Sequence, residues 1–330
     1  MTNSQDIFTI SSQKQFEKIA LKVFRFQYEN NLVYQAFCNF LKVDMQSVKS
    51  LQQIPFLPIQ FFKSHDVVSN NPENSGLVQE AFTSSGTTGM ITSKHLVTDV
   101  SLYEQSYRNG FSEFYGNIED YVVLALLPSY LERSGSSLIY MVNDLIELSK
   151  NENSGFYLHN YDELISKLVE LDNAGQNVIL IGVTYALLDL IEKQNFKLKN
   201  TIIMETGGMK GKRKEMIREE LHEILCKGFG VSVIHSEYGM TELLSQAYSL
   251  GNGIFECPAW MQILIRDTED GMTYVADGKT GGINVIDLAN INSCSFIATQ
   301  DLGKKQPNNS FEVLGRFDNS DIRGCNLMVI

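Results

Sequence analysis

Seven consecutive small residues, Thr83-Ser84-Ser85-Gly86-Thr87-Thr88-Gly89, carry five hydroxyls and two glycines and nothing that could build a core. A segment of this kind can turn hydroxyls and backbone N–H groups toward one point, which is the chemistry of a cradle for phosphate oxygens. No Gly-Lys-Ser/Thr closes it at Walker spacing and no helix pattern begins there, so it is not a Walker loop. Taken alone, the cluster reads first as a polar hairpin turn. Other polar, glycine-bearing segments lie downstream: Thr206-Gly207-Gly208-Met209, Ser236-Glu237-Tyr238-Gly239-Met240-Thr241-Glu242, Thr299-Gln300-Asp301-Leu302-Gly303 and Gly315-Arg316-Phe317-Asp318. Each is read as following a strand, and in an open parallel sheet ligands gather at the carboxyl ends of the strands.

The elements that must position these segments show in the periodicity. β-like runs at 77–82 and 94–98 flank the hydroxyl-rich loop. Apolar runs at 121–127, 178–182, 201–205 and 231–236 are separated by helical patterns at 137–148, 161–171, 186–192 and 212–226. Continuous apolar strands alternating with helices predict a parallel sheet covered on both faces. Asp99 is placed to cap a helix carrying Leu102, Tyr103, Tyr107, Phe111 and Phe114. Near the start, Ser11 or Ser12 caps a helix whose apolar face is Phe16, Ile19, Ala20, Val23 and Phe24. A second helix presents Leu32, Val33, Ala36, Phe37, Phe40 and Leu41. Beyond residue 250, short β-like runs at 262–266, 272–276, 282–288, 295–299 and 311–314 predict a smaller antiparallel section.

Composition narrows the class. The 330 residues can bury a substantial core as one large domain or two, and 43% hydrophobic with 20% charged residues is ordinary for a soluble globular chain. A formal charge of −12 argues against broad nucleic-acid binding. No N-terminal signal and no run of membrane-span length is visible. Five cysteines, at 38, 226, 257, 294 and 325, show no CxxC spacing and leave one odd, which suits reduced thiols and a cytoplasmic setting better than disulfides or zinc.

In order along the chain, TSSGTTG at 83–89, YGMTE at 238–242, TQDLG at 299–303 and GRFD at 315–318 resemble the signature set of the adenylate-forming enzymes. Within that superfamily, TGGMKG at 206–211, HSEYGMTE at 235–242 and the RGC triplet at 323–325 are most similar to the acyl-protein synthetase family of bacterial bioluminescence. The resemblance implies an α/β fold, the acyl-adenylate synthetase large domain, over residues 1–330. Parallel sheet layers covered by helices would occupy roughly 1–250, and the β-rich part 251–330. It implies ATP and Mg²⁺ as cofactors, with a carboxylic acid, expected to be a fatty acid, as substrate. The loop Thr83, Ser84, Ser85, Gly86, Thr87, Thr88 and Gly89 would hold the β/γ-phosphates. Thr241 would contact the α-phosphate and Glu242 would ligate Mg²⁺. Tyr238, followed by Gly239, would stack on adenine, with Gly207 and Gly208 admitting the base. Asp301 would accept from the ribose hydroxyls and Arg316 would contact ribose or phosphate.

Each of these residues also has a plainer reading when taken singly: Asp301 as a turn acid, Arg316 as a surface cation, Tyr238 as a core aromatic, Glu242 as a helix N-terminal acid. His235 is read as a core histidine, Ser136 and Tyr185 as candidate liners of the acyl pocket, and the cations from Lys210 to Lys214 as a solvated face.

Twelve residues follow Asp318. The small mobile domain that follows this motif elsewhere in the superfamily, with its assisting lysine, is therefore expected to be absent. In the bioluminescence family a cysteine near the C-terminus takes the acyl group and hands it to a partner reductase. Cys325 stands in the matching place, beside Arg323, which would lower its pKa. Two other outcomes stay open: direct ligation to coenzyme A or a carrier-protein thiol, and a non-catalytic nucleotide-binding subunit.

Overall fold

A computed structural model describes residues 4–70, 77–84, 92–128, 135–158, 160–208, 213 and 216–317. The chain divides into two compact units, and the division does not follow chain order: residues 1–69 group with 259–330, and 70–258 form the other unit.

The first unit begins with helices α1 (Ser4–Ile7), α2 (Gln13–Asn30) and α3 (Leu32–Phe40), then a two-residue strand β1 (Leu57–Pro58) and a short helix α4 (Phe61–Ser64). Ser12 caps α2 by accepting from Gln15 N, and the buried stripe is the expected Phe16, Ile19, Ala20, Val23 and Phe24. Gln27 extends that stripe and is wholly buried, so its amide has to be satisfied inside. It donates to the carbonyls of Asn290 and Ile291 at 2.9 and 3.0 Å and accepts from Ser295 N at 3.0 Å, tying α2 to a segment some 265 residues away. Helix α3 forms where expected but turns differently. Tyr34 and Cys38 are its buried residues, whereas Leu32 and Phe40 are 74% and 82% exposed. The reason is local. Asn31 caps α3 through Tyr34 N, and Tyr34 buries its ring against Phe296 while its hydroxyl donates to Pro55 O.

The β-rich part of this unit is antiparallel: β11 (Met261–Arg266), β12 (Thr280–Asp287), β13 (Phe296–Lys305) and β14 (Phe311–Arg316) pair in sequence order, and β1 adds in parallel to β13. The β-like run at 272–276 forms no strand and contributes only an isolated bridge between Arg266 and Tyr274. The larger correction concerns Thr299–Gly303. These residues lie inside β13 rather than after a strand, at a point where the register slips between Leu302 and Gly303. A bulge of this kind re-aims side chains without ending the strand.

The second unit carries the hairpin β2 (Glu80–Thr83) and β3 (Lys94–Val97), and a six-stranded sheet. The sheet contains β4 (Val122–Leu126), β5 (Gly155–Tyr157), β6 (Val178–Gly182), β7 (Thr201–Glu205), β8 (His235–Tyr238) and β9 (Ala247–Ser249), ordered β5-β4-β6-β7-β8-β9. All pair in parallel up to β8, and β9 closes the edge antiparallel. A short β10 (Ile254–Phe255) follows. The helices are α5 (Val100–Tyr115), α6 (Ser137–Leu148), α7 (Tyr161–Asn173), α8 (Thr184–Lys193) and α9 (Arg218–Phe229). Asp99 caps α5 as expected, through Ser101 N. Helix α9 starts at Arg218, six residues later than its charge pattern suggested, and strand β8 starts at His235 rather than 231.

Register assigns the two faces of this sheet. Val123, Ile179, Ile181 and Met204 share one face and line a small, wholly apolar cavity of about 10 Å³ with Phe111 of α5, Met141, Val142 and Leu145 of α6, and Tyr248. Glu205 and Ser236 lie on the opposite face, with Arg218 and His222 of α9. The amino end of β7 is held by Asp172 at the end of α7, whose carboxylate accepts from Lys199 N, Asn200 N and Thr201 Oγ1 at 2.7–3.0 Å. Replacing it leaves buried donors unmet, at roughly 1–3 kcal/mol for each group that water cannot reach. Asp172→Ala is expected to lower the unfolding free energy by about 3 kcal/mol in urea titrations; a loss under about 1 kcal/mol would show that water takes over the carboxylate's bonds.

Candidate functional site

The carboxyl ends of β6 and β7 are stitched to each other. Thr206 N donates to Gly182 O and Thr184 N donates to Gly207 O, both at 3.0 Å. The chain then turns through Gly207 and Gly208 at φ of +69° and +94°, a conformation that only glycine adopts without strain. Among the described residues, a Cβ on Gly207 would meet nothing within 4 Å.

Glu205 anchors the turn. Its buried carboxylate accepts from Gly207 N at 2.7 Å and Thr184 Oγ1 at 3.3 Å. On its other side it takes Arg218 Nη1 at 2.5 Å, with His222 Nε2 at 3.5 Å. Burial would raise its pKa, but the bonds from His222, Ser236 and Gly207 and the charge of Arg218 outweigh that and hold it at about 2. Glu205 is thus a fixed anion. Within the same turn region, Arg213 is not part of a solvated face: it donates to Asp189 and Glu192 on α8.

The hydroxyl-rich loop grows from the β2–β3 hairpin. Thr83 N donates to Gly135 O at 2.7 Å. At the neck Ser84 N donates to Ser93 O, and Ser93 N returns a bond to Ser84 Oγ. Ser85, Gly86, Thr87, Thr88 and Gly89 lie outside the described residues, as do Cys325 and Asp318.

The hairpin is joined to the Tyr238–Glu242 segment by a residue that spacing did not mark. His95, one residue into β3 and 1% exposed, places Nδ1 2.8 Å from the carbonyl oxygen of Thr241. A carbonyl can only accept, so Nδ1 carries the proton. Burial lowers the imidazole's pKa to about 4, with the Thr241 bond acting weakly the other way. Glu242 is buried in a turn closed by Leu243 N to Met240 O, not in the first turn of a helix. Tyr238 is buried at the end of β8 with its ring at an angle to Phe255. A Cβ on Gly239 would overlap Oε1 of Glu237.

In the other unit, Asp301 and Arg316 are directly opposed on β13 and β14, and Arg316 Nε donates to Asp301 Oδ1 at 3.0 Å. Asp301 is 5% exposed, which removes the turn-acid reading, while the Arg316 side chain is 77% exposed. Arg266, another residue without a sequence signal, braces this strand. Its guanidinium donates to the carbonyls of Ile283 and Thr299 and to Asn284 Oδ1, and sits 5.6 Å from the centre of the Phe317 ring.

The remaining acyl-site candidates fall into structural roles or margins. Ser136 caps α6 through Ile139 N, Tyr185 is half-buried in the first turn of α8, and His235 packs on Tyr115 with Nδ1 3.2 Å from its hydroxyl. Among the described residues no three His, Cys, Asp or Glu side chains are placed to hold a metal, and no helix is long and apolar enough to cross a membrane.

The buried groups both lose stabilisation on the acid side, in different pH windows. His95 has a folded pKa below its unfolded value of about 6.5, so its contribution to stability is complete above that pH and is lost as pH falls toward 4, by about 3 kcal/mol. Glu205, depressed to about 2, loses its share only below the ordinary carboxyl range. His95→Asn keeps an amide donor for Thr241 O and does not titrate. Its unfolding free energy is expected to be flatter than the wild type's between pH 6.5 and 4; parallel curves would refute the assignment.

The sequence matches the acyl-protein synthetase family, LuxE, over residues 4–330. No curated protein matches it. Solved structures resemble it at low identity. An open form of 2-hydroxyisobutyryl-CoA ligase with 2-HIB-AMP and CoA aligns with TM-score 0.65 and 12% identity over 93% of this chain and 70% of that one. The same ligase in its thioesterification state gives 0.66 and 13% over 96% and 71%. ATP-bound MatB from Rhodopseudomonas palustris gives 0.51 and 17% over 72% of this chain and 47% of MatB. At such identities the likeness establishes the fold, that of adenylate-forming ligases.

Proposed function

The chain belongs to the acyl-protein synthetase family, and from that premise we propose that it activates a carboxylic acid with ATP and passes the acyl group to a thiol, first its own Cys325 and then a partner protein. One observation carries the reading furthest. His95 bonds the hairpin of the hydroxyl-rich loop to the backbone of Thr241, so two segments 146 residues apart are held together within one unit. That is what a site gripping one polyphosphate from both ends requires.

In the first step an oxygen of the acid attacks the α-phosphorus, the bond to the β-phosphate breaks, and pyrophosphate leaves. The loop from Thr83 to Gly89 holds the departing phosphates and Thr241 orients the α-phosphate. Tyr238, Gly207 and Gly208 take the adenine, and Asp301 and Arg316 the ribose. Glu242 would hold Mg²⁺. When bound, the ion would supply positive charge against the repulsion between two anionic substrates. In the second step the Cys325 thiolate attacks the acyl carbon, the bond to AMP breaks, and a thioester forms. A fatty acid is the substrate that the family likeness favours.

Pyrophosphate–ATP exchange screened across aliphatic and aromatic acids tests the first step, with long aliphatic acids expected to be the best. Glu242→Gln should cut exchange by about a hundredfold, on the order of 3 kcal/mol of lost charge stabilisation. Cys325→Ser should keep the exchange and lose covalent label from radioactive acid. Label persisting on that variant would move the acceptor elsewhere, and rapid coenzyme A-dependent turnover by it would identify a direct acid–CoA ligase.

A further inference from the structure

Two glutamates stand at the carboxyl edge of the same sheet and are treated in opposite ways. Glu205 is on the α9 face, bonded on all sides. Glu237, on β8, is 9% exposed, and its side chain makes no hydrogen bond or ion pair among the described residues. It is directly opposed to Tyr248 across the β8–β9 pair, and Tyr248 lines the apolar cavity. His235, two residues earlier, is in register with Met204, one of the apolar row Val123, Ile179, Ile181 and Met204 that lines it. Glu237 therefore points to the cavity face, at the end of the row nearest the Gly239–Glu242 turn. Its Oε1 occupies the space that Gly239 leaves by lacking a Cβ, so the carboxyl lies against the turn itself.

A buried carboxyl without a partner is costly, and nothing in the packing calls for one here. The titratable groups around it are Tyr103 and Tyr115 on α5, Tyr248 on β9, His235 on its own strand and Glu205 on β7. None of these is a fixed cation. That leaves the carboxyl open to a ligand group, between the apolar row and the turn proposed to hold the α-phosphate. Resting on that reading of the turn, we propose that the Glu237 carboxyl recognises the head group of the acid substrate, donating its O–H to the carboxylate oxygen that does not attack phosphorus.

The environment keeps the required proton in place. Burial, reinforced by the charge of Glu205, raises the Glu237 pKa to about 8. The proton stays on Glu237 throughout.

The test is the KM for the acid in pyrophosphate–ATP exchange from pH 6.5 to 9.5, for wild type, Glu237→Gln and Glu237→Ala. Wild-type KM for the acid should rise several-fold as pH passes 8, with KM for ATP unchanged. Glu237→Gln keeps a neutral donor, so its KM should stay within about threefold of wild type at pH 7 and show no such rise. Glu237→Ala should raise the acid's KM about tenfold or more, equivalent to about 1.4 kcal/mol. Superimposable pH profiles for wild type and Glu237→Gln, or an unchanged acid KM in Glu237→Ala, would overturn the assignment. If Glu237→Ala does not fold, the comparison with the isosteric glutamine variant decides alone. Absence of exchange by the wild type with every acid would instead remove the adenylation reading on which this one rests.

Discussion

The carboxylate of Glu205 is the point on which the strand-end region depends. One buried anion satisfies the N–H of the Gly207 turn, the hydroxyl at the start of α8, and the guanidinium and imidazole of α9. A parallel sheet buried on both faces has to end in polar turns, and those turns must find donors and acceptors away from bulk water. Here a single side chain supplies the acceptors for three elements. The consequence is a glycine turn held in shape by the protein itself, which would lower the ordering cost of binding at the adenine site proposed for it.

Glu237 shows the same edge under the opposite condition. With its folded pKa raised to about 8 from burial, its favourable contribution is present below pH 4.5 and is lost as pH rises toward 8. It therefore costs stability near neutrality, and Glu205 cannot relieve it because both carry the same sign. A chain selected for stability alone has no use for such a group; a chain that must grip an anion in a low-dielectric slot does. The two faces of the sheet thus divide the work between a permanently charged clamp beneath α9 and a neutral donor above an apolar row.

His95 and Arg266 act through backbone rather than through substrate. Each is a cation-capable side chain spent on carbonyl oxygens: Thr241 for His95, Ile283 and Thr299 for Arg266. Such bonds fix where the neighbouring functional side chains start from, and a displacement of an ångström there is costly to catalysis. Asp301 gains its burial in the same way, from a strand that continues through the motif and a bulge that turns it, instead of from a loop.

The sequence by itself determined the architecture and the motif set. Apolar runs such as Val178–Gly182 and Thr201–Glu205 can only be strands buried on both faces, and the helices between them are long enough to cover those faces, so a parallel sheet follows from composition and spacing. The chemistry-bearing segments were legible because their residue types serve little purpose in a core. What pairing decides was not legible. Whether Leu32 or Tyr34 faces inward on α3 depends on Asn31 as a cap and on an aromatic partner 262 residues away, and the β-like run at 272–276 lacks a strand to pair with. Glu237 and Glu205 look alike in the sequence, each an acid at the end of a strand. Only the register of neighbouring strands puts one among cations and the other among tyrosines, and that difference in surroundings, invisible in spacing, separates an anchor from a proposed recognition group.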